Sequence, residues 1–318
     1  MVATSIRFSV LLTLASTFGL AFQSGGPIGP IAPRLVRKDT IPPADLRVDV
    51  PLVQIPVHVT TPLGASVTNL RPESFQLLED GVKQTITHFS SEDAPISIGL
   101  LFDASGSMRN KMRKSSEAVA AFFRTSNADD EFFLIEFNDH PKLALPFTRD
   151  SESIYRRVSH IKPIGRTSLL DAIHLAMLQM KTAKNLRKAL VIISDGGDNR
   201  SRYTESEIKT AMREADVQVY AMGIFDPEDS QKTPEERNGP RLLDELAEET
   251  GGRHYPVGNL DDLPAVCEKI GSELRYQYML GYTPTNEDEE AGFRKVKVVV
   301  PPPLRAYYRS GYSTGTSR

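Results

Sequence analysis

The sequence predicts an α/β fold: a doubly wound, mainly parallel sheet with a smaller β-rich domain built from the N- and C-terminal flanks. Three observations predict this class. From residue 96 onward, short apolar runs alternate with segments whose apolar residues recur at helical spacing. Such uninterrupted apolar runs are typical of parallel strands covered by helices on both faces. On either side of this region apolar and polar residues alternate, as they do in half-buried strands.

Composition places the chain among ordinary globular proteins. Its 318 residues, 40% of them hydrophobic, are enough for about two domains. The 38 Lys and Arg residues nearly balance 41 Asp and Glu residues, and no basic stripe is present, so nucleic acid is not an expected partner. Cys267 is the only cysteine, which excludes an intrachain disulfide. Its place among apolar residues of a predicted helix indicates a small buried side chain.

The first residues have the pattern of a signal peptide, over residues 1–21. Arg7 precedes a mostly apolar run of 15 residues, whereas a membrane-spanning helix needs roughly 20. Gly19 and Ala21 provide small residues at positions minus three and minus one of a cut after Ala21. We therefore expect an exported protein, periplasmic or secreted, without a membrane span after cleavage. An uncleaved N-terminal anchor is the alternative.

The flanks are predicted to form the smaller domain. Residues 22–45 are rich in Gly and Pro and are expected to form a linker. Residues 46–92 are expected to form a β segment, with strands over 48–59, 75–78 and 84–89 and a tight turn at Asp80-Gly81. Pro51 and Pro56 suit edge or bulged strands. The segment is too short to be stable alone, so we expect it to pack with C-terminal strands in residues 274–318.

The α/β region between the flanks, residues 93–273, divides into regular elements. Predicted strands cover 96–102, 132–137, 143–147, 189–193 and 217–224, and predicted helices cover 108–123, 168–180, 204–215, 242–249 and 260–270. Residues 226–240 are polar, charged and aperiodic, so a surface loop is expected there.

Oxygen-bearing side chains follow or precede these elements at one predicted edge. Asp103, Ser105 and Ser107 follow the first strand, Thr167 precedes a helix, and Asp195 follows the 189–193 strand. The carboxyl ends of parallel strands form the usual ligand-binding edge of such sheets. Carboxylates and hydroxyls suit a hard cation such as Mg²⁺, and the lack of His and Cys argues against zinc or copper. Alternatively, Ser105 and Ser107 only cap the next helix, which leaves Thr167 and Asp195 unexplained.

This set of five residues resembles the metal-ion-dependent adhesion site of von Willebrand factor type A domains, and the region around it resembles that Rossmann-like fold. The flanks resemble a narrower group of exported proteins, described as acidobacterial-type VWFA-related. The flank segments that carry this resemblance include Val53-Gln-Ile-Pro-Val, Phe75-Gln-Leu-Leu-Glu-Asp-Gly and Phe293-Arg-Lys-Val-Lys-Val. The resemblance implies that Ser105 and Ser107 bind the ion directly and that Asp103 and Asp195 hold it mainly through water. Thr167 would bind directly in one state and indirectly in another.

The implied function is a non-enzymatic binding module. Its Mg²⁺ ion, for which Mn²⁺ or Ca²⁺ could substitute, would capture an Asp or Glu carboxylate of a protein partner. One alternative is a structural envelope domain that has kept the metal site without using it. A magnesium-dependent hydrolase is a weaker alternative, because the sequence has no Gly-x-Ser-x-Gly or His-Glu-x-x-His motif.

Two further groups of residues are weaker candidates. The Asn138-Asp139-His140 turn is expected at the same edge, where a plain hairpin turn is favoured over contact with a ligand. Asp198 and Asn199 either extend the site or belong to a solvated loop, and the loop is favoured. The histidines show no metal-ligand spacing.

Overall fold

A computed structural model describes residues 52–225, 233–286 and 292–314 of the chain. The predicted signal peptide and linker, and residues 226–232 of the predicted loop, lie outside the described residues. Within the described ranges, no helix is both long enough and apolar enough to cross a membrane.

Fourteen strands and six α-helices make up the described structure. The strands are β1 (Val53–Thr60), β2 (Gln76–Glu79), β3 (Val82–Gln84), β4 (Ile86–Ser90), β5 (Ile96–Asp103), β6 (Glu131–Phe137), β7 (Pro141–Thr148), β8 (Arg187–Ser194), β9 (Gln218–Ile224), β10 (His254–Val257), β11 (Gln277–Tyr282), β12 (Gly292–Val299), β13 (Arg305–Tyr307) and β14 (Gly311–Thr314). The helices are α1 (Met112–Phe123), α2 (Ser151–Ser159), α3 (Leu169–Met180), α4 (Glu205–Glu214), α5 (Pro234–Glu249) and α6 (Leu263–Arg275).

The central sheet has six strands in the order β10-β9-β8-β5-β6-β7. All neighbouring pairs are parallel except β6 and β7. Every residue of β5 and of β9 is buried, because helices cover both faces of the sheet. Side chains of α1, α2 and α6 pack in one apolar layer, and side chains of α3, α4 and α5 pack in the other. The predicted α/β fold is therefore confirmed.

The flanking segments form two further four-stranded sheets, in the orders β13-β1-β11-β4 and β14-β12-β2-β3. In each sheet a strand from the N-terminal flank pairs antiparallel with one from the C-terminal flank. Val57 of β1 lies opposite Tyr278 of β11, and Leu77 of β2 lies opposite Val298 of β12. These four side chains belong to one buried cluster. On this basis we propose that residues 46–92 and 274–318 form one β-rich domain.

Two expectations about the N-terminal flank are corrected. The predicted strand over 84–89 is divided at Thr85, because β3 and β4 belong to different sheets. Strand β1 is also not an edge strand, since it lies between β13 and β11. Pro56 is nevertheless accommodated: it lies opposite Met279 of β11, while β13 pairs only with His58–Thr60.

The prediction for residues 226–240 was wrong at its C-terminal end, because α5 begins at Pro234 instead of residue 242. Thr233 caps this helix in a reciprocal capping box with Glu236, and proline occupies the first helical position. Pro240 lies inside α5, where a proline normally ends or kinks a helix. The start signals at 233–236 therefore outweigh the proline.

Three elements had not been predicted: α2, β10 and β14. The signal for α2 is present in the sequence, since Asp150 caps it and Ile154 and Val158 are buried four residues apart. Cys267 was predicted correctly, as its side chain is 1% exposed. Burial raises the pKa of its thiol to about 12.

Candidate metal centre

The predicted site residues lie on three loops at the carboxyl edge of the central sheet. Asp103 ends β5, Asp195 directly follows β8, and Thr167 lies two residues before α3. Asp103, Ser105, Thr167 and Asp195 are all buried, with exposed fractions of 0, 1, 3 and 5%. Ser107 is exposed. Four of the five predicted site residues are therefore closed off from solvent, and solvent reaches the group on the side of Ser107.

Asp103 is fixed by two hydrogen bonds, one to each carboxylate oxygen. Its Oδ1 accepts from the Ser105 backbone N–H at 2.8 Å, and its Oδ2 accepts from the Ser194 hydroxyl at 2.6 Å. Burial, together with the negative charge of Asp195, raises the pKa of Asp103 to about 7. Ser194 was not predicted as a site residue, because a serine at the end of an apolar strand does not by itself indicate a hydrogen bond to Asp103.

The two serines lie side by side, and the Oγ atoms of Ser105 and Ser107 are 3.0 Å apart. Ser105 precedes the short 3-10 helix Gly106–Met108, but its side chain makes no capping hydrogen bond. The capping alternative therefore does not account for Ser105, whose hydroxyl instead contacts that of Ser107.

Backbone hydrogen bonds hold the three loops together. The N–H of Gly106, beside the serines, donates to the carbonyl of Gly165 at 3.0 Å. The Thr167 N–H donates to the side-chain oxygen of Asn199 at 3.0 Å, and the Asn199 N–H donates back to the Thr167 carbonyl at 3.1 Å. Asn199 thus links the Thr167 loop to the loop that carries Asp195.

The Asn138-Asp139-His140 turn supports the Thr167 loop, a role that neither sequence interpretation included. Asp139 Oδ1 accepts from the Arg166 N–H at 3.1 Å, and the Ser168 hydroxyl donates to the Asn138 carbonyl at 2.7 Å. Gly165 is required between them, because its φ is +84° and a Cβ there would lie 2.4 Å from Asp139 Oδ2.

Asp198 likewise has a supporting role. One carboxylate oxygen accepts from the Leu170 N–H at 2.8 Å, in the first turn of α3. The other accepts from the Ser201 N–H at 3.1 Å. Both oxygens are engaged in holding the loop against the helix N-terminus, where a negative charge is favourable. The favoured interpretation of a merely solvated loop is corrected for this residue.

Two contacts of Asp195 were missed by sequence reasoning. Lys111, at the start of α1, places its Nζ 3.2 Å from Asp195 Oδ2, and its side chain is only 14% exposed. Gly239 of α5 lies against the backbone of Asp195, since a Cβ at this glycine would be 2.4 Å from the Asp195 carbonyl oxygen. In the sequence, the Gly239-Pro240 pair was the feature that could have indicated a close approach of this segment to the loop that carries Asp195.

The donor set fits a hard divalent cation. Two buried carboxylates lie close enough for the charge of Asp195 to raise the pKa of Asp103, and Lys111 is the one cation in contact with them among the described residues. No group of three or more His, Cys, Asp or Glu side chains arranged for a metal occurs in the part of the chain that the structure describes. Hydroxyl oxygens would therefore have to complete the ligand set, and Ser105 and Ser107 supply them.

Comparisons with known proteins agree with the fold. Residues 98–197 match the family model for the von Willebrand factor type A domain. An uncharacterised protein of Borreliella burgdorferi is 24% identical over 199 residues, which are 56% of this chain and 57% of the relative. The chain thus spans little more than half the length of this curated relative.

A solved structure supports the same fold. A von Willebrand factor type A protein from Catenulispora acidiphila superposes with a TM-score of 0.50 at 12% identity, covering 77% of this chain and 74% of that one. The conserved hypothetical protein BatB from Bacteroides thetaiotaomicron has a TM-score of 0.45 at 20% identity, covering 56% of this chain and 98% of that one. The narrower resemblance to acidobacterial-type proteins stays a prediction. Residues 98–197 of the α/β region are therefore similar to the von Willebrand factor type A domain, and the six-stranded, mainly parallel sheet agrees with that similarity.

Proposed function

We propose that this protein is an exported binding module that uses Mg²⁺ to capture an Asp or Glu carboxylate of a protein partner. The observation that carries the proposal is the meeting of two buried carboxylates and two neighbouring hydroxyls at the carboxyl edge of the sheet. Mg²⁺ prefers such oxygen ligands and retains water at the remaining positions, one of which a partner carboxylate can take.

Each residue has a distinct part in this proposal. Ser105 and Ser107 would hold the ion through their hydroxyls, while Asp103 and Asp195 would supply negative charge, mainly through water. Thr167 would contribute its hydroxyl in one state of the site. If no protein carboxylate binds the ion directly, the bound ion retains Lewis acidity for the partner's carboxylate. The exposure of Ser107 supports access from that side.

Calorimetric titration with Mg²⁺ tests the metal site. Asp103→Asn and Asp195→Asn each remove one of the two charges that offset the ion while preserving side-chain size, so we expect either variant to lose measurable Mg²⁺ binding. Thr167→Ala should retain Mg²⁺ binding, because water can replace a hydroxyl, and should mainly weaken partner capture. Ca²⁺ should bind less well than Mg²⁺ if the site enforces near-octahedral geometry.

Asp261→Asn is the matched control for the charge change. Asp261 is 73% exposed and pairs with Lys114, so its loss should leave the Mg²⁺ affinity unchanged. Equal Mg²⁺ affinity in wild type and Asp103→Asn would contradict the metal site.

Export rests on the sequence of residues 1–21. The short apolar run behind Arg7 and the small residues before the expected cut support cleavage of this segment. The mature protein is expected to begin near Phe22 and to be found in the periplasm or the medium. N-terminal sequencing of the exported protein checks this, and an intact Met1 in a membrane fraction would contradict it.

A further inference from the structure

A cleft of about 500 Å³ opens beside the candidate metal centre, between the β6–β7 turn and the C-terminal end of α2. Its lining includes Ala104, Asn138, His140, Lys142, Arg157 and Lys162. None of the five predicted metal-site residues lines it. The cleft is therefore a separate feature of the same edge of the domain.

The cleft carries uncompensated positive charge. Arg157 is neutralised by Glu136, which accepts from its Nε and, at 2.8 Å, from a terminal nitrogen. Lys142 and Lys162 are exposed, and the side chain of neither makes a hydrogen bond or an ion pair with another described residue. Two ammonium groups in one concave surface attract anions, because a cleft lined by charges of one sign focuses their electric field.

The cleft adjoins the metal centre through the backbone. Ala104 lines the cleft and directly follows Asp103, and its carbonyl accepts from the Ile164 N–H at 2.8 Å. The segment from Lys162 to Thr167 therefore runs from the cleft to the candidate metal ligands. Ile164, halfway along it, is 66% exposed. A partner segment seated at the metal centre would lie across this loop.

We infer that the cleft binds a second carboxylate of the same partner, so that the protein recognises an acidic segment carrying at least two Asp or Glu residues. This inference rests on the proposed function, since the first carboxylate is the one captured by Mg²⁺. The lysines attract the segment and select against partners with a single acidic residue, because those leave the cleft charges unpaired.

Fluorescein-labelled hexaglutamate is the probe, and a hexapeptide with one Glu among five Gln is its comparison. Fluorescence anisotropy measures binding of both to the full chain in MgCl₂ and in EDTA. The test variant is Lys142→Ala/Lys162→Ala. The matched control is Lys83→Ala/Lys297→Ala, which removes two exposed lysines from the β-rich domain and changes the net charge equally.

In MgCl₂ we expect the cleft variant to bind hexaglutamate about tenfold more weakly than wild type, and the control variant to remain within about twofold. The single-Glu peptide should bind both variants as it binds wild type. The affinity difference should shrink as NaCl is raised, since the contacts are exposed. Equal weakening in the two double variants, or no hexaglutamate binding to wild type, would overturn the inference.

The EDTA arm separates this inference from the proposed function. If EDTA has no effect on wild type while the cleft variant still binds hexaglutamate more weakly than the control, the cleft is an anion site and the metal proposal fails. If EDTA abolishes binding but both double variants behave as wild type, the metal proposal stands and the cleft inference fails.

Discussion

Lys111 is the side chain at the candidate metal centre whose contribution is easiest to isolate. Its ammonium lies 3.2 Å from Asp195 Oδ2, where it offsets part of the charge of the two buried carboxylates. A divalent ion at this site competes with that ammonium. Lys111→Met should therefore raise the Mg²⁺ affinity, by about threefold to tenfold for a partly exposed ion pair. The metal-free variant should also melt at a lower temperature, because its carboxylates repel without a nearby cation.

Thermal unfolding with and without Mg²⁺ measures both effects. Lys114→Met is the control on the same helix, since Lys114 pairs with Glu117 and with Asp261 at 2.8 Å, away from Asp195. A Lys111→Met protein whose Mg²⁺-induced gain in melting temperature equals that of wild type would contradict competition at this position.

At the scale of elements, the site depends on how closely α5 approaches the loop after β8. A Cβ at Gly239 would lie 2.4 Å from the Asp195 carbonyl oxygen, so Gly239→Ala must displace the helix or the loop. We expect a loss of about 1–3 kcal/mol in the free energy of unfolding, typical of overpacking, although Ala favours helices over Gly. Mg²⁺ affinity should also fall, because Asp195 moves with its backbone.

Urea unfolding and Mg²⁺ titration of the same preparation check this prediction. Asn238→Ala provides the control, as Asn238 is exposed on the neighbouring position of α5. Its free energy of unfolding should change by no more than about 0.5 kcal/mol, as for other surface substitutions. A Gly239→Ala protein as stable as Asn238→Ala would show that α5 is free to adjust at this contact.

For the whole molecule, the question is whether the proposed β-rich domain opens separately from the α/β region. Buried Glu79 connects the N-terminal flank to the C-terminal flank: its carboxylate accepts from Arg294 at 2.9 Å and from the hydroxyls of Tyr282 and Tyr312 at 2.6 Å each. Removing one member of a buried ion pair costs roughly 3–5 kcal/mol. Glu79→Ala should therefore accelerate amide exchange at Val57 by about two orders of magnitude or more, while Ile192 in β8 keeps its protection.

Hydrogen exchange followed residue by residue provides the measurement. Tyr312→Phe removes a single hydroxyl from the same junction, so its effect on Val57 should be much smaller, about 1 kcal/mol. Equal acceleration at Val57 and Ile192 would mean that the molecule unfolds as one unit, which would contradict the proposed division into two domains.

The periodicity of the sequence was sufficient for most of the α/β region, because the spacing of apolar residues in a buried strand or an amphipathic helix reflects which of its faces are buried. Strand β8 is apolar over most of its length, and the buried residues of α4, Ile208 and Met212, lie four positions apart. The site residues were also available locally, since parallel strands deliver their carboxyl ends to one edge. Whether these residues bind a metal stays a prediction.

Contacts between residues that are distant in the chain were decided by the tertiary structure, because local periodicity does not specify them. The sheet change at Thr85 depends on which partner strand is available on either side of it. Strand β3 pairs with the neighbouring β2, whereas β4 pairs with β11, whose Leu280 lies opposite Phe89 although it is 191 positions later in the chain. The contacts of Lys111 and Gly239 with Asp195 likewise join residues that are 84 and 44 positions apart. A single sequence specifies which side chains are apolar or charged. Which distant charges pair, and where two backbones approach closely, is fixed only when helices and strands pack. The energies of these contacts depend on distances in space, which a single sequence does not give.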